Sequence, residues 1–136
     1  MRGVVTLVPS NVKSDTRGIL AVMECGQHVP FAVKRAFVIA GMPPNTTRAK
    51  HAHRAQHQFL VCTAGAVTVV SNDGHERRTW RLDGPTHGLH APPLSWLEVL
   101  DAAPGTSVLV LCDAPYDAAD YIHDDAEFRR LTRGTV

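Results

Sequence analysis

Gln58-Phe59-Leu60-Val61-Cys62-Thr63, Ala64-Gly65, Ala66-Val67-Thr68-Val69-Val70-Ser71, Asn72-Asp73-Gly74 and His75-Glu76-Arg77-Arg78-Thr79-Trp80-Arg81-Leu82 follow one another without a gap. Two short apolar runs are parted by a glycine. The second then reaches Asp-Gly with strand-like sequence on both sides, the strongest short-range signal for a hairpin. The return run, His75 to Leu82, is polar on one face. Short runs of this kind, cut by turn residues, specify β-structure.

The same texture continues outward. Downstream, Asp83-Gly84-Pro85 turns, Gly88 to Ala91 leads into Pro92-Pro93, and Ser95 to Asp101 reads as a strand. Ala103-Pro104-Gly105 turns again. Ser107 to Cys112 is a continuous apolar run, expected to be buried on both faces. Upstream, Phe31 to Ala40 is β-branched and aromatic, and Gly41-Met42-Pro43-Pro44-Asn45 stops it. Ile19 to Glu24 and Gly3 to Val8 are further strands, with Pro9 to Asp15 read as a turn. No 3.6-residue repeat precedes the tail, where Asp124 to Leu131 is read as a short helix. About ten short strands between Gly/Pro turns predict an all-β antiparallel sandwich or barrel with a short C-terminal helical tail.

A chain of 136 residues fits one domain, residues 1–136, with a core that needs no staples. A net charge of +1 gives no electrostatic footprint for nucleic acid. Cys25, Cys62 and Cys112 form no disulfide framework, and no CxxC occurs. The N-terminus does not read as a secretory signal, and no apolar run approaches the ~20 residues of a membrane span. The expected setting is cytoplasmic.

The chemistry concentrates just before the opening stretch, in Arg48-Ala49-Lys50-His51-Ala52-His53-Arg54-Ala55-Gln56-His57. On a strand, His51 and His53 share one face, joined by His57 if no bulge intervenes. Three readings stand beside one another. A barrel metal site commonly takes His-x-His, an acid a few residues on, and a later histidine. Here His57 and Gln58 occupy the acid's region and Leu97 a later ligand position, though three histidines alone suffice for zinc. Without a metal, two imidazoles can abstract and return protons near pH 7, with Arg48 and Arg35 stabilising an oxyanion or holding a phosphate. Thirdly, the histidines could lie in a solvated basic loop. His28, His75, His87 and His123 fall in or beside turns and read as solvated. Trp80 and Trp96 suit packing better than stacking on a ligand.

Several segments then occur in a telling order: Phe31 to Arg35 (FAVKR), Arg48 to His53 (RAKHAH), Gly65 to Val69 (GAVTV), Asp73-Gly74, Gly88 to Pro93 (GLHAPP), Trp96 and Tyr116 to Ile122 (YDAADYI). Together they resemble the cupin-type nucleotide-sugar 3,4-ketoisomerases, the WxcM-like dTDP-4-keto-6-deoxyglucose 3,4-ketoisomerases. The resemblance covers about Arg17 to Phe128, nearly the whole chain.

It implies a cupin (RmlC-like) jelly roll, or double-stranded β-barrel, in a homodimer with N-terminal strand exchange. It implies an isomerase that moves the keto group of a dTDP-4-keto-6-deoxyhexose from C4 to C3 without metal or other cofactor, in deoxyamino-sugar biosynthesis. His51 and His53 match the family's proton-transferring pair. Arg35 and Arg48 match its arginines, and Arg17, His57, His90 and Trp96 complete the expected substrate contacts. The chain departs from the pattern at Phe37, where a tyrosine is common, at Leu97, where a polar residue is frequent, and at Lys50. Phe37 keeps a non-catalytic sugar-nucleotide-binding cupin open as an alternative, beside a metal-dependent cupin enzyme.

Overall fold

The strands of a computed structural model, which describes residues 4–133, follow the alternation of the sequence. In chain order they are β1 (Thr6–Pro9), β2 (Asn11–Asp15), β3 (Gly18–Val22), β4 (Arg35–Ala40), β5 (Thr47–His53) and β6 (Gln58–Ala64). There follow β7 (Val67–Asn72), β8 (Arg77–Leu82), β9 (His87–Ala91), β10 (Trp96–Leu100), β11 (Ser107–Cys112) and β12 (Tyr121–Ile122). A helix, α1 (Asp125–Arg133), closes the chain. Gly3, where the first expected strand began, lies outside the described residues.

Two five-stranded sheets, β1-β9-β6-β11-β4 and β12-β5-β10-β7-β8, face each other across one core. The residues that meet there are alternate ones: Leu60 and Cys62, Val67 and Val69, Leu97 and Val99, Val108 and Val110. This is the jelly roll expected. On the outside of the first sheet, Phe59 and Val61 pack under Val29 and Phe31. On the outside of the second, Ala52 and Ile122 pack under Phe128 of α1. Burying one phenylalanine is worth about 2–3 kcal/mol. That contact fixes a nine-residue helix too short to persist alone.

Two sequence expectations change. Pro9 to Asp15 is not simply a turn: Asn11–Asp15 is β2, paired with β3 from Asn11↔Val22 to Asp15↔Gly18. All of β2 is exposed, so its strand lacks the apolar alternation that would reveal it. Phe31 to Lys34 leave the sheet, and the strand starts at Arg35, because Phe31 is taken up by the outer-face cluster. The Asp-Gly turn between β7 and β8 is present. Gly74 has φ +92°, and a Cβ there would come within 2.3 Å of Thr132 in α1, so glycine is required twice over. Among the described residues, no helix is long and apolar enough to cross a membrane.

Candidate active site

A cavity of about 320 Å³ opens between the sheets where β4, β5 and β12 come together. Its apolar floor includes Leu60, Leu97, Val99 and Val110, the continuation of the core. Its polar wall is Arg35, Arg48, His51, Gln58 and Tyr121.

Strict alternation along β5 would separate Arg48 from Ala49 and His51. A β-bulge brings all three to the cavity. Leu97 of β10 faces His51 while the next residue, Glu98, faces Ala49, leaving Lys50 as the extra residue. Ala49 and Lys50 adopt φ +70° and +59°, the left-handed region that side chains other than glycine rarely occupy. The consequence falls on His51. Its Nδ1 lies 3.0 Å from the carbonyl oxygen of Ala49. A carbonyl can only accept, so Nδ1 carries the hydrogen and Nε2 of the neutral ring keeps the lone pair. Burial, reinforced by the like charge of His53, lowers the His51 pKa to about 4; the bond to Ala49 opposes this. His51 is therefore an unprotonated base at neutral pH.

His53 is held differently. Its Nδ1–H donates to Asp120 Oδ2 at 2.9 Å. The same carboxylate accepts from the backbone N–H groups of Ala55 and Gln56, so it fastens the β5–β6 turn as well as the ring. The ring is only 4% exposed, packed against Tyr121 at 4.4 Å and edge-on to His51 at 5.1 Å between centroids. Its Nε2 is buried and has no hydrogen-bond partner among the described residues. Burial lowers the His53 pKa, against the pull of Asp120.

Tyr121 pairs with His53 across β12 and β5, and its neighbour Ile122 pairs with Ala52. Ile122 is buried under α1, so alternation turns Tyr121 the other way, onto the cavity. Arg35 Nη1 donates to the Tyr121 hydroxyl at 3.3 Å. The guanidinium lies between the rings of Phe37 and Tyr116, 4.9 and 5.2 Å from their centroids, which holds a cation at the cavity wall.

The other expected contacts lie elsewhere. β5 ends at His53 and a turn intervenes, so His57 opens a different sheet. Gln58 and Leu60 take the inner face of β6, and His57 falls on the outer side with Phe59. His90, paired with Phe59, is on that side too, and His57 Nδ1 meets His90 Nε2 at 3.0 Å beside Phe31. The pair faces away from the cavity. Trp96 also faces outward, against Phe128, because its neighbour Leu97 takes the cavity side. Arg17 sits in the β2–β3 turn, paired with Asp15 and 88% exposed, outside the cavity of its own chain. His123 is exposed, as expected, yet its ring stacks on Tyr121 at 5.5 Å.

Sequence reasoning assigned no role to Asp120, Tyr121 or Gln58. The first two lie in the Tyr116 to Ile122 segment, whose order was noticed without its chemistry. A two-residue strand leaves no periodicity to read. Among the described residues, no three His, Cys, Asp or Glu side chains are grouped so as to hold a metal ion.

A family model described as FdtA, WxcM-like, C-terminal, matches residues 4–133. A TDP-4-oxo-6-deoxy-alpha-D-glucose-3,4-oxoisomerase from Aneurinibacillus thermoaerophilus is 34% identical over 116 residues, covering 85% of this chain and 84% of that one. Two crystal structures of the 3,4-ketoisomerase QdtA from Thermoanaerobacterium thermosaccharolyticum are similar throughout. A mutant in complex with TDP-4-keto-6-deoxyglucose superposes with a TM-score of 0.93 at 30% identity, over 96% of this chain and 95% of that one. A double mutant in complex with TDP gives a TM-score of 0.92 at 32% identity, over 96% and 94%.

Proposed function

This chain belongs to the FdtA, WxcM-like C-terminal family, and we propose that it moves the keto group of a TDP-linked 4-keto-6-deoxyhexose from C4 to C3. The C4 carbonyl acidifies the hydrogen on C3. His51, with its lone pair on Nε2 toward the cavity, removes that hydrogen, and the charge passes to the C4 oxygen. Arg35 and Arg48 stabilise the oxyanion, whose formation otherwise limits enolisation. Return of a proton to C4 and loss of the C3 hydroxyl hydrogen complete the isomer. Hydrogen moves and no electrons are gained or lost, so the reading calls for no redox cofactor.

His53 is the companion of His51 in the acid–base centre, oriented by Asp120 and excluded from bulk water. The TDP diphosphate supplies binding energy remote from the reacting carbons. The proposal extends to a homodimer. Among the described residues the β2–β3 hairpin pairs with no other strand, and Ile19 and Leu20 are 58% and 59% exposed on it. β4, at the cavity wall, is an edge strand. A crossing hairpin would cover the apolar residues and offer Arg17 to the partner's cavity. The unpaired cysteines accord with a reducing, cytoplasmic setting.

The observation that carries the reading is the fixed tautomer of His51 beside two guanidinium groups in one cavity. The test is incubation with TDP-4-keto-6-deoxyglucose in D₂O, followed by NMR. The 3-keto isomer should appear with deuterium at the reacting carbons. Unchanged substrate, with no exchange at C3, would refute it.

A further inference from the structure

Most polar groups at the cavity already have their work assigned. Arg35 and Arg48 carry only donors, and His51 keeps its one free nitrogen for the carbon-bound hydrogen. The Tyr121 oxygen accepts from Arg35, and Phe37 brings no polar atom to the wall. Gln58 is left. It is 6% exposed, on the inner face of β6, between Ala91 of β9 and Cys112 of β11. Its Nε2 donates to Cys112 Sγ at 3.8 Å, and no described residue bonds its Oε1. Unlike Gln56 Oε1, this oxygen is not sealed inside the protein. An amide oxygen so deep in a fold costs stability while it goes without a hydrogen. The cavity therefore holds donors in excess and one neutral acceptor unspent.

We propose that Gln58 is a specificity-determining residue, whose Oε1 accepts a hydrogen bond from the C2 hydroxyl of the hexose. On a TDP-linked 4-keto-6-deoxyhexose, C1 carries the diphosphate, C4 the carbonyl and C5 the ring oxygen, and C6 is a methyl group. Hydroxyls remain at C2 and C3, and the one at C3 becomes the product carbonyl. The C2 hydroxyl alone keeps its hydrogen in substrate, enediol and product, which suits an acceptor that does not titrate. The layout of the sheet agrees. Arg35 and Gln58 are both partners of Cys112, so they stand at one level, two strands apart, with about 10 Å between their backbones. C2 and C4 flank C3. With C3 at His51 and the C4 oxygen at Arg35, the C2 hydroxyl points away from Arg35, to the Gln58 side. Leu60, Leu97, Val99 and Val110 on the floor offer it no partner. A sugar without that hydroxyl leaves the amide oxygen unpaired beneath it, so the site discriminates against 2-deoxy hexoses.

This role rests on the isomerase reading, and one experiment separates their failures. Wild type and Gln58→Met are each given TDP-4-keto-6-deoxyglucose and its 2-deoxy counterpart, and kcat/KM is measured for every pairing. Wild type should prefer the 2-hydroxy sugar by about 30-fold. Gln58→Met keeps the length of the side chain and removes the amide. It should lower kcat/KM for the 2-hydroxy sugar by about that factor, leave the 2-deoxy sugar within about threefold, and so bring the preference close to one. TDP, which carries no hexose, should bind both proteins equally by calorimetry. A wild-type enzyme that handles the two sugars within about threefold of each other overturns the role. So does a Gln58→Met enzyme that keeps the wild-type preference, or one that loses TDP binding to the same degree, which would make Gln58 a packing residue. A wild-type enzyme that isomerises neither sugar overturns the isomerase reading, and the role of Gln58 with it. Should Gln58→Met fail to fold, Gln58→Glu keeps an acceptor oxygen at the same place. A preference above about tenfold in that variant supports the role, and a preference near one overturns it.

Discussion

Two pairs of histidines lie on opposite sides of this barrel. His51 and His53 have ring centroids 5.1 Å apart, and His57 and His90 have theirs 5.2 Å apart. What separates the pairs is where their nitrogens are spent. The outer rings are parallel, at 2°, and bond directly to each other. The inner rings are edge to face, at 87°, and each gives its Nδ1–H to a separate anchor, the Ala49 carbonyl or the Asp120 carboxylate. Closeness of imidazoles therefore says little. A nitrogen left over, aimed into a cavity, is what marks a chemical role.

The sharpest way to break the contrast is substitution on both sides. His51→Asn should lower kcat about 1,000-fold while TDP still binds, as read by calorimetry. His57→Asn and His90→Asn should each stay within about threefold of wild type. Equal losses on the two sides would erase the distinction. Next in size is the anchor. Asp120→Asn should cost on the order of 10–100-fold in kcat, because an amide can no longer hold the His53 ring and both turn amides together. Asp113→Asn, which touches the outer pair's strand through the His57 N–H, should leave turnover nearly unchanged.

Acid sharpens the comparison further. The folded-state pKa of His51, about 4, lies below the 6.5 of a free imidazole. Its lone pair survives until about pH 4, so activity should persist through pH 5 and fall as the pH drops toward 4. Stability has the same sign. Between about 6.5 and 4 the unfolded chain binds the proton and the folded one does not, so stability is full above 6.5 and is lost as pH falls. His90, lowered by burial and then by the charge of His57, adds to the loss of stability in that direction. Denaturant midpoints at pH 7 and pH 5 should therefore converge in His90→Asn as well as in His51→Asn. Only His51→Asn should remove the acid limb of turnover. The smallest expected effect is that of a chelator: prolonged EDTA treatment followed by dialysis should leave the rate unaltered.

Much of this was written in the residues. Asp73-Gly74, the run from Ser107 to Cys112 and the tail from Asp124 fixed the β-class and the closing helix before any coordinate. His51, Arg35 and Arg48 could be picked out because they stand in the motif segments Phe31 to Arg35 and Arg48 to His53, although the bulge at Lys50 breaks the alternation of β5. His57 and Trp96 could not be placed. Each lies next to a residue, Gln58 or Leu97, that takes the inward position, and parity depends on where a strand begins. Asp120 and Tyr121 were hidden for another reason. Their partners are 67 and 86 positions away in sequence, His53 and Arg35 respectively, and contacts that distant leave no local pattern. The exposed β2, with Val12 as its single apolar residue, resembled a loop because none of the described residues buries it.

The paired left-handed residues at Ala49 and Lys50 impose a tension between durability and accuracy. Conformations of that kind cost on the order of 1–3 kcal/mol each. Lys50→Gly should thus raise the melting temperature even as it lets the catalytic ring wander. Selection for heat tolerance alone would be drawn to this spot, and the sturdier protein it produced would be the poorer enzyme.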